Sequence, residues 1–260
     1  MSYENISVEH IDRVAVLKLD APEVLNALSP DMVQELSNAV TDIINSDARC
    51  LLITGAGRAF CAGANLQPRE GKKDDLSPAG SVLETHYHPV MTKLRNMEIP
   101  MVSAVNGPAV GVGMSFAIMA DIVVAARSAY FLQAFANIGL VPDGGATYLL
   151  PRMIGWSRAL ELSLLAERLP AEKALEWGLV NRVVDDEDLM DEALKLATKL
   201  ANGPKSLGLM RRAYWETFSN SYSEQFQLEA NLQAIAGASE DNKEGVKAFL
   251  EKRPPKFTGN

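Results

Sequence analysis

Two short runs constrain the fold more than anything else in this chain: Cys50–Thr54 (CLLIT) and Met101–Asn106 (MVSAVN). Neither alternates cleanly between apolar and polar residues. As strands they bury both faces, which happens inside a parallel sheet covered by helices on both sides. Around them, β-branched runs trade places with helical patterns through the first two-thirds of the chain. Arg13–Leu19 (RVAVLKL) reads as a strand with apolar residues at alternate places. Ser29-Pro30-Asp31 is a strong helix start, with Ser at the N-cap, Pro at the first helical position and an acid in the first turn. Met32, Leu36, Val40, Ile43 and Ile44 then recur at helical spacing. Ile122–Ala126 and Tyr130–Leu132 complete the strands, and the alternation implies βαβ units and an α/β core.

Beyond about Gly155 strands nearly vanish. Helical patterns occupy Ser157–Ala166, Ala171–Trp177, Glu187–Leu200, Pro204–Phe218, Ser223–Ile235 and Asp241–Lys252. The polar stretch Gly71–Ser81 reads as a surface loop.

Composition narrows the class. Of 260 residues, 47% are hydrophobic, enough for one large domain or a domain with an appendage. No apolar run approaches the roughly 20 residues needed to cross a bilayer. The opening MSYENISVEH has neither a basic nor an apolar signal region, so a soluble cytoplasmic protein is expected. Two cysteines, Cys50 and Cys61, make neither a disulfide framework nor a cysteine metal site. A net charge of −8 argues against nucleic-acid binding, because neutralising phosphates needs a basic face. It leaves room for an anionic small ligand.

Three loops carry candidate chemistry. Arg58–Leu66 (RAFCAGANL) follows a strand, and the small residues Ala62, Gly63 and Ala64 let backbone approach a ligand closely. Asn106–Ser115 (NGPAVGVGMS) places Gly111 and Gly113 around Val112 where a helix begins, so free amides there can hold an anion or a developing oxyanion. In Ile138–Thr147 (IGLVPDGGAT), Asp143 precedes a helix. It reads either as an N-cap or, with Ile138, Leu140 and Val141 forming a greasy surround, as a carboxylate with raised proton affinity fit for general-base work. The first two loops are also explained by tight packing of small residues, and no single loop decides the matter.

Together and in this order the loops resemble the crotonase superfamily, also called the enoyl-CoA hydratase/isomerase family. The likeness begins at Asn26-Ala27-Leu28 and runs through RAFCAGANL, NGPAVGVG, Ala120-Asp121-Ile122, IGLVPDGGATYLLPRMIG, Ala174–Asn181 (ALEWGLVN) and the ending AFLEKRPPKF. The resemblance implies an α/β fold with a crotonase-like ββα-spiral core over residues 1–200. It also implies a C-terminal helical trimerisation region over residues 201–260, in a homo-trimer or a hexamer built as a dimer of trimers. The ligand would be an acyl-CoA thioester, with no metal and no further cofactor. Carried over by position, the backbone amides of Ala64 and Val112 form an oxyanion hole, the carbonyl of Ala62 faces the adenine, and Leu28 joins the CoA- and substrate-binding residues. Phe249 and Lys252 match positions that meet the CoA of a neighbouring subunit; an amphipathic tail helix with one core Phe and one solvated Lys explains them as well.

The hydratases of this family position water with two glutamates. The matching places here hold Ser115 and Phe135, neither of which can act as a base. Asp143 remains, and FLQAFANIGLVPDGGATYLLPR resembles the isomerase branch, that of 1,2-epoxyphenylacetyl-CoA isomerases and Δ3,Δ2-enoyl-CoA isomerases. Three other readings stay open: a 2-enoyl-CoA hydratase, an aromatic acyl-CoA dehalogenase pairing Asp143 with His88, and a non-catalytic acyl-CoA-binding subunit. Tyr87, Phe116, Phe135, Tyr148 and Trp156 are candidates to line an aromatic-sized pocket or to fill ordinary core.

Overall fold

The computed structural model describes residues 3–66 and 79–260. The Gly71–Ser81 stretch therefore lies outside the described residues up to Pro78. Among the described residues nine strands occur in chain order: β1 (Ile6–Ile11), β2 (Val14–Leu19), β3 (Cys50–Gly55), β4 (Met101–Val105), β5 (Ala109–Val110), β6 (Ile122–Ala126), β7 (Tyr130–Leu132), β8 (Leu169–Pro170) and β9 (Arg182–Val184). The helices are α1 (Pro30–Ile44), α2 (Ala79–Val82), α3 (His88–Arg95), α4 (Val112–Ile118), α5 (Ala146–Met153), α6 (Trp156–Leu165), α7 (Ala171–Trp177), α8 (Leu189–Ala201), α9 (Ser206–Glu216), α10 (Tyr222–Gly237) and α11 (Glu240–Glu251).

The main sheet has the order β1-β2-β3-β4-β6-β9 and is parallel from β2 onward. At its centre, Leu51, Leu52 and Ile53 of β3 and Met101, Val102 and Ala104 of β4 are wholly buried. The two unalternating runs thus sit where their composition requires, with α8 packed over β3, β4 and β6. A smaller sheet joins β5, β7 and β8.

Helix α1 begins as its sequence dictates: the Ser29 hydroxyl accepts the Met32 amide at 3.1 Å and Pro30 occupies the first position. Met32, Leu36, Val40 and Ile43 face the core, but Ile44 is exposed. Neighbours on a helix point about 100° apart, so Ile43 and Ile44 cannot share one face.

Four strands, β1, β5, β8 and β9, are not announced by the sequence; β5 is only the two residues Ala109–Val110 inside the second loop. β1 forms an antiparallel hairpin with β2 at the sheet edge, where a half-exposed face leaves a weak pattern. β8 and β9 lie beyond Gly155, each only two or three residues long. From α8 to α11 the chain is helical, and α9 is pinned to the body by Arg211. Its Nε donates to the Asp121 carboxylate at 2.8 Å, and its terminal nitrogens donate to the carbonyls of Leu94, Arg95 and Met97 at 2.9, 2.6 and 2.7 Å.

Candidate active site

Asn26 organises the first loop. Its side chain is wholly buried; Oδ1 accepts the Ala21 amide at 3.0 Å, and Nδ2 donates to the carbonyls of Ala56 and Ala59 at 2.9 and 2.8 Å. The chain then lays Leu28 beside Ala64 as a single parallel bridge. The Leu28 amide donates to the Gly63 carbonyl at 2.7 Å and the Asn65 amide donates to the Leu28 carbonyl at 3.0 Å. Those two bonds flank Ala64, so its own N–H points away from Leu28, on the open side of the loop. Ala64 is exposed while Gly63 beside it is buried.

The second loop is stapled to the first. The Phe60 and Cys61 amides share the Pro108 carbonyl at 3.1 Å, and the Val110 amide donates to the Cys61 carbonyl at 2.9 Å. Gly111 turns the chain into α4 at φ 54°, and Val112 becomes the first helical residue. An amide at that position has no partner within its helix. Ala64 and Val112 are thus brought to adjoining loops with main-chain donors available.

Asp143 closes the third side. It does not cap α5: that helix starts after Gly145 without a side-chain cap, and Asp143 offers its main-chain carbonyl to the Ala146 amide at 3.0 Å. Its carboxyl is turned inward. Oδ1 is fully buried and has no hydrogen-bond partner among the described residues. Burial pushes the group up to about 6, against a smaller opposing pull from His88. The source of that burial differs from the expected one. Ile138, Leu140 and Val141 are 54%, 45% and 79% exposed, because the chain after the Phe135 turn runs over the surface. At the adjacent Gly144, α3 and α4 pack closely: a Cβ there would meet Ser115, Val112 and Met91 within 3.2 Å.

The two positions that match the hydratase acids by sequence lie in the neighbouring loops. Ser115 is buried and donates its hydroxyl to the Asp143 carbonyl at 2.8 Å, and the Phe135 ring lies against Gly111. Tyr87, also buried, donates to the Leu28 carbonyl at 3.2 Å. Its phenol is held neutral by burial and, secondarily, by the Asp143 charge. Burial pushes the Cys61 thiol up to about 12, so it offers no thiolate nucleophile.

Beside Gly144 lies a cavity of about 350 Å³ lined by His88, Met91, Tyr148, Leu149 and Trp215. Of the aromatic candidates, Tyr148 lines it and Tyr87 and Phe135 adjoin the loops. Phe116 is core and Trp156 is 70% exposed. Trp215 was missed, because nothing in its own helix points back to a loop some seventy residues earlier. His88 is exposed at the start of α3, with no hydrogen bond to Asp143 among the described residues. Leu28 buries its side chain in the core and meets the site only through its backbone. Ala62 is half-buried in the first loop and donates its amide to the Leu25 carbonyl at 3.0 Å. Phe249 is 82% exposed on α11, and Lys252 ends that helix at φ 55°. Within one chain neither lines the cavity beside Gly144. No cluster of three or more His, Cys, Asp or Glu suited to a metal ion occurs among the described residues. None of their helices is long and apolar enough to cross a membrane.

Known proteins resemble this chain over nearly its whole length. The family model described as enoyl-CoA hydratase/isomerase matches residues 9–260. A 1,2-epoxyphenylacetyl-CoA isomerase of Escherichia coli (strain K12) is 45% identical over 258 residues, covering 97% of this chain and 98% of that protein. A crotonyl-CoA hydratase of Syntrophomonas wolfei is 35% identical over 266 residues, with 99% of each covered. The crystal structure of an enoyl-CoA hydratase from Bacillus anthracis superposes with a TM-score of 0.91 at 31% identity, covering 99% of this chain and 100% of that one. The fold is crotonase-like, and the chain belongs to the enoyl-CoA hydratase/isomerase family.

Proposed function

We propose that this enzyme is an acyl-CoA isomerase that moves a double bond through a thioester enolate. One observation carries the reading: Asp143 is an inward-turned carboxyl raised to about 6, while the two neighbouring places that water addition needs hold Ser115 and Phe135. Asp143 takes a proton from C2 of a 3-enoyl-CoA. The negative charge moves onto the thioester oxygen, held by the amides of Ala64 and Val112. The protonated carboxyl then returns its proton at C4, leaving the conjugated 2-enoyl-CoA. The shuttle asks for no metal or redox partner, since proton and electron pair both stay within substrate and carboxyl. An epoxide thioester, of the kind in the name of the Escherichia coli relative, fits the same donors, with ring expansion to an oxepin as the outcome.

The assembly belongs to the proposal. Phe226, Phe249 and Leu250 leave 58%, 82% and 74% of their surfaces exposed on the last two helices, consistent with a homo-trimer or hexamer in which Phe249 and Lys252 reach a neighbour's CoA. Sedimentation of the purified protein reads this directly, and a monomer would remove it.

The activity is tested by giving the protein a 3-enoyl-CoA and a 2-enoyl-CoA in D₂O, with Asp143→Asn in parallel. Conjugation of the first, with deuterium exchange lost in the variant, supports isomerisation. Rapid 3-hydroxyacyl-CoA formation from the second overturns it in favour of hydration.

A further inference from the structure

Two cavities share one residue in their linings. The first is the cavity of about 350 Å³ beside Gly144. The second, about 340 Å³, opens among Pro100, Ile122, Leu200, Leu207 and Phe218. Among the described residues, Trp215 on α9 is the one that lines both.

Its indole is held on several sides. The Arg95 guanidinium stands 5.5 Å from the ring centroid and that of Arg211 stands 5.9 Å away. Phe218 meets the ring edge-on at 6.1 Å, and Tyr148 meets Phe218 edge-on at 5.6 Å. Arg211 is itself fixed by Asp121 and by three main-chain carbonyls. A ring within reach of two cations, one of them anchored, loses that attraction when it swings away. Trp215 is a wall with a backstop.

We propose that Trp215 sets the length of acyl group this enzyme accepts. Short or ring-sized acyl groups fill the first cavity and end against the indole, while long unbranched chains are refused. The second cavity becomes usable space only when the indole is cut back. The inference rests on placing the acyl group beside Asp143, as in the proposed function, and makes Trp215 a specificity residue with no part in proton transfer.

The test measures binding of saturated butyryl-, hexanoyl-, phenylacetyl-, decanoyl- and dodecanoyl-CoA by calorimetry to the full-length wild type, Trp215→Phe, Trp215→Leu and Trp215→Ala. In the wild type, affinity should rise by up to about fourfold per buried methylene as far as hexanoyl-CoA, then level off or fall. Trp215→Ala should carry the rise through dodecanoyl-CoA, ending about tenfold or more tighter than wild type, and should bind phenylacetyl-CoA several-fold more weakly. Trp215→Phe should keep the break. Trp215→Leu, which keeps an apolar side chain on α9, should move it part of the way and guards against loss of fold in the alanine variant. A wild type that gains affinity steadily through dodecanoyl-CoA overturns the proposal, as does a break that stays put in both truncated variants. Saturated thioesters cannot be isomerised, so a break without turnover of 3-enoyl-CoA would topple the isomerase reading alone. Turnover without a break would topple this inference alone.

Discussion

The hydroxyl of Ser115 donates to the main-chain carbonyl of Asp143 at 2.8 Å. Ser115 therefore holds the turn that carries Asp143 in place. Its side chain is fully buried, and the Cβ of Ser115 lies 2.8 Å from where a Cβ on Gly144 would sit. Ser115→Ala removes that tether. The expected cost is about 1 kcal/mol of stability, or a Tm lower by roughly 2–4 °C, with kcat falling several-fold at unchanged KM. Ser115→Glu should not install hydration, because no space remains for the longer chain without displacing Asp143. Calorimetry and steady-state kinetics check both; a Glu variant that hydrates crotonyl-CoA efficiently would refute the packing argument.

The raised carboxyl makes two pH effects. As a base, Asp143 must be ionised, so kcat/KM should rise by about tenfold per pH unit below pH 6 and flatten above pH 7. Stability moves the other way. Between its ordinary value of 3.8 and about 6, the folded protein holds a proton here that the unfolded chain has lost. The favourable contribution is full below about pH 4 and disappears as pH rises through about 6. Asp143→Asn should therefore be more stable than wild type at pH 7, on the order of 1 kcal/mol once partial exposure of the side chain is allowed for. The gap should close toward pH 4. Tm against pH for both proteins measures it, and parallel curves would argue against the buried-carboxyl account.

Why some of this is written plainly in the sequence and some is not follows from the range of each interaction. Ser29-Pro30-Asp31 starts a helix through bonds spanning three residues, so it is readable where it stands. The central strands are readable because full burial leaves no polar alternation. β1 escapes because an edge strand needs to satisfy only one face, and β9 because three residues carry no period. Ala64, Val112 and Asp143 could be picked as loop residues from their glycine neighbours, yet their meeting depends on main-chain bonds such as Val110 to Cys61, which no side chain announces. Ile138, Leu140 and Val141 show the same limit: they precede Asp143 in sequence but lie exposed on the surface. Met91 and Val112, which do crowd Gly144, lie about fifty and about thirty residues away in the chain.

Arg211 gives the C-terminal helices their grip on the body. Its side chain is 4% exposed and that of Asp121 is 26% exposed. Removing the arginine takes a donor from each of the carbonyls of Leu94, Arg95 and Met97 and leaves a partly exposed carboxylate without its cation. Arg211→Met should cost about 3–5 kcal/mol in urea unfolding. Asp121→Asn should cost less, because the guanidinium keeps its three carbonyl partners. The reverse ranking would mean that the ion pair, and not the carbonyl set, anchors α9.

Gly113 tests whether the spacing of the two main-chain donors is what the loops are built to hold. A Cβ placed there would lie 2.5 Å from the Cys61 carbonyl oxygen and 2.7 Å from its sulfur. Cys61 belongs to the loop that presents Ala64, and Gly113 directly follows Val112. A methyl group at 113 therefore presses first on Cys61 and pushes apart the two loops that carry the donors. The backbone at Gly113 is helical, so the substitution carries no conformational strain of its own. Gly113→Ala should lower kcat by about 100-fold or more, the loss expected when one oxyanion donor is displaced. Overpacking should cost roughly 1–3 kcal/mol of stability. Binding of saturated acyl-CoA should change far less than kcat, since a ground-state thioester gains little from the hole. Equal losses in binding and turnover would show that the wedge damages the ligand site as a whole, and the donor-spacing argument would fall.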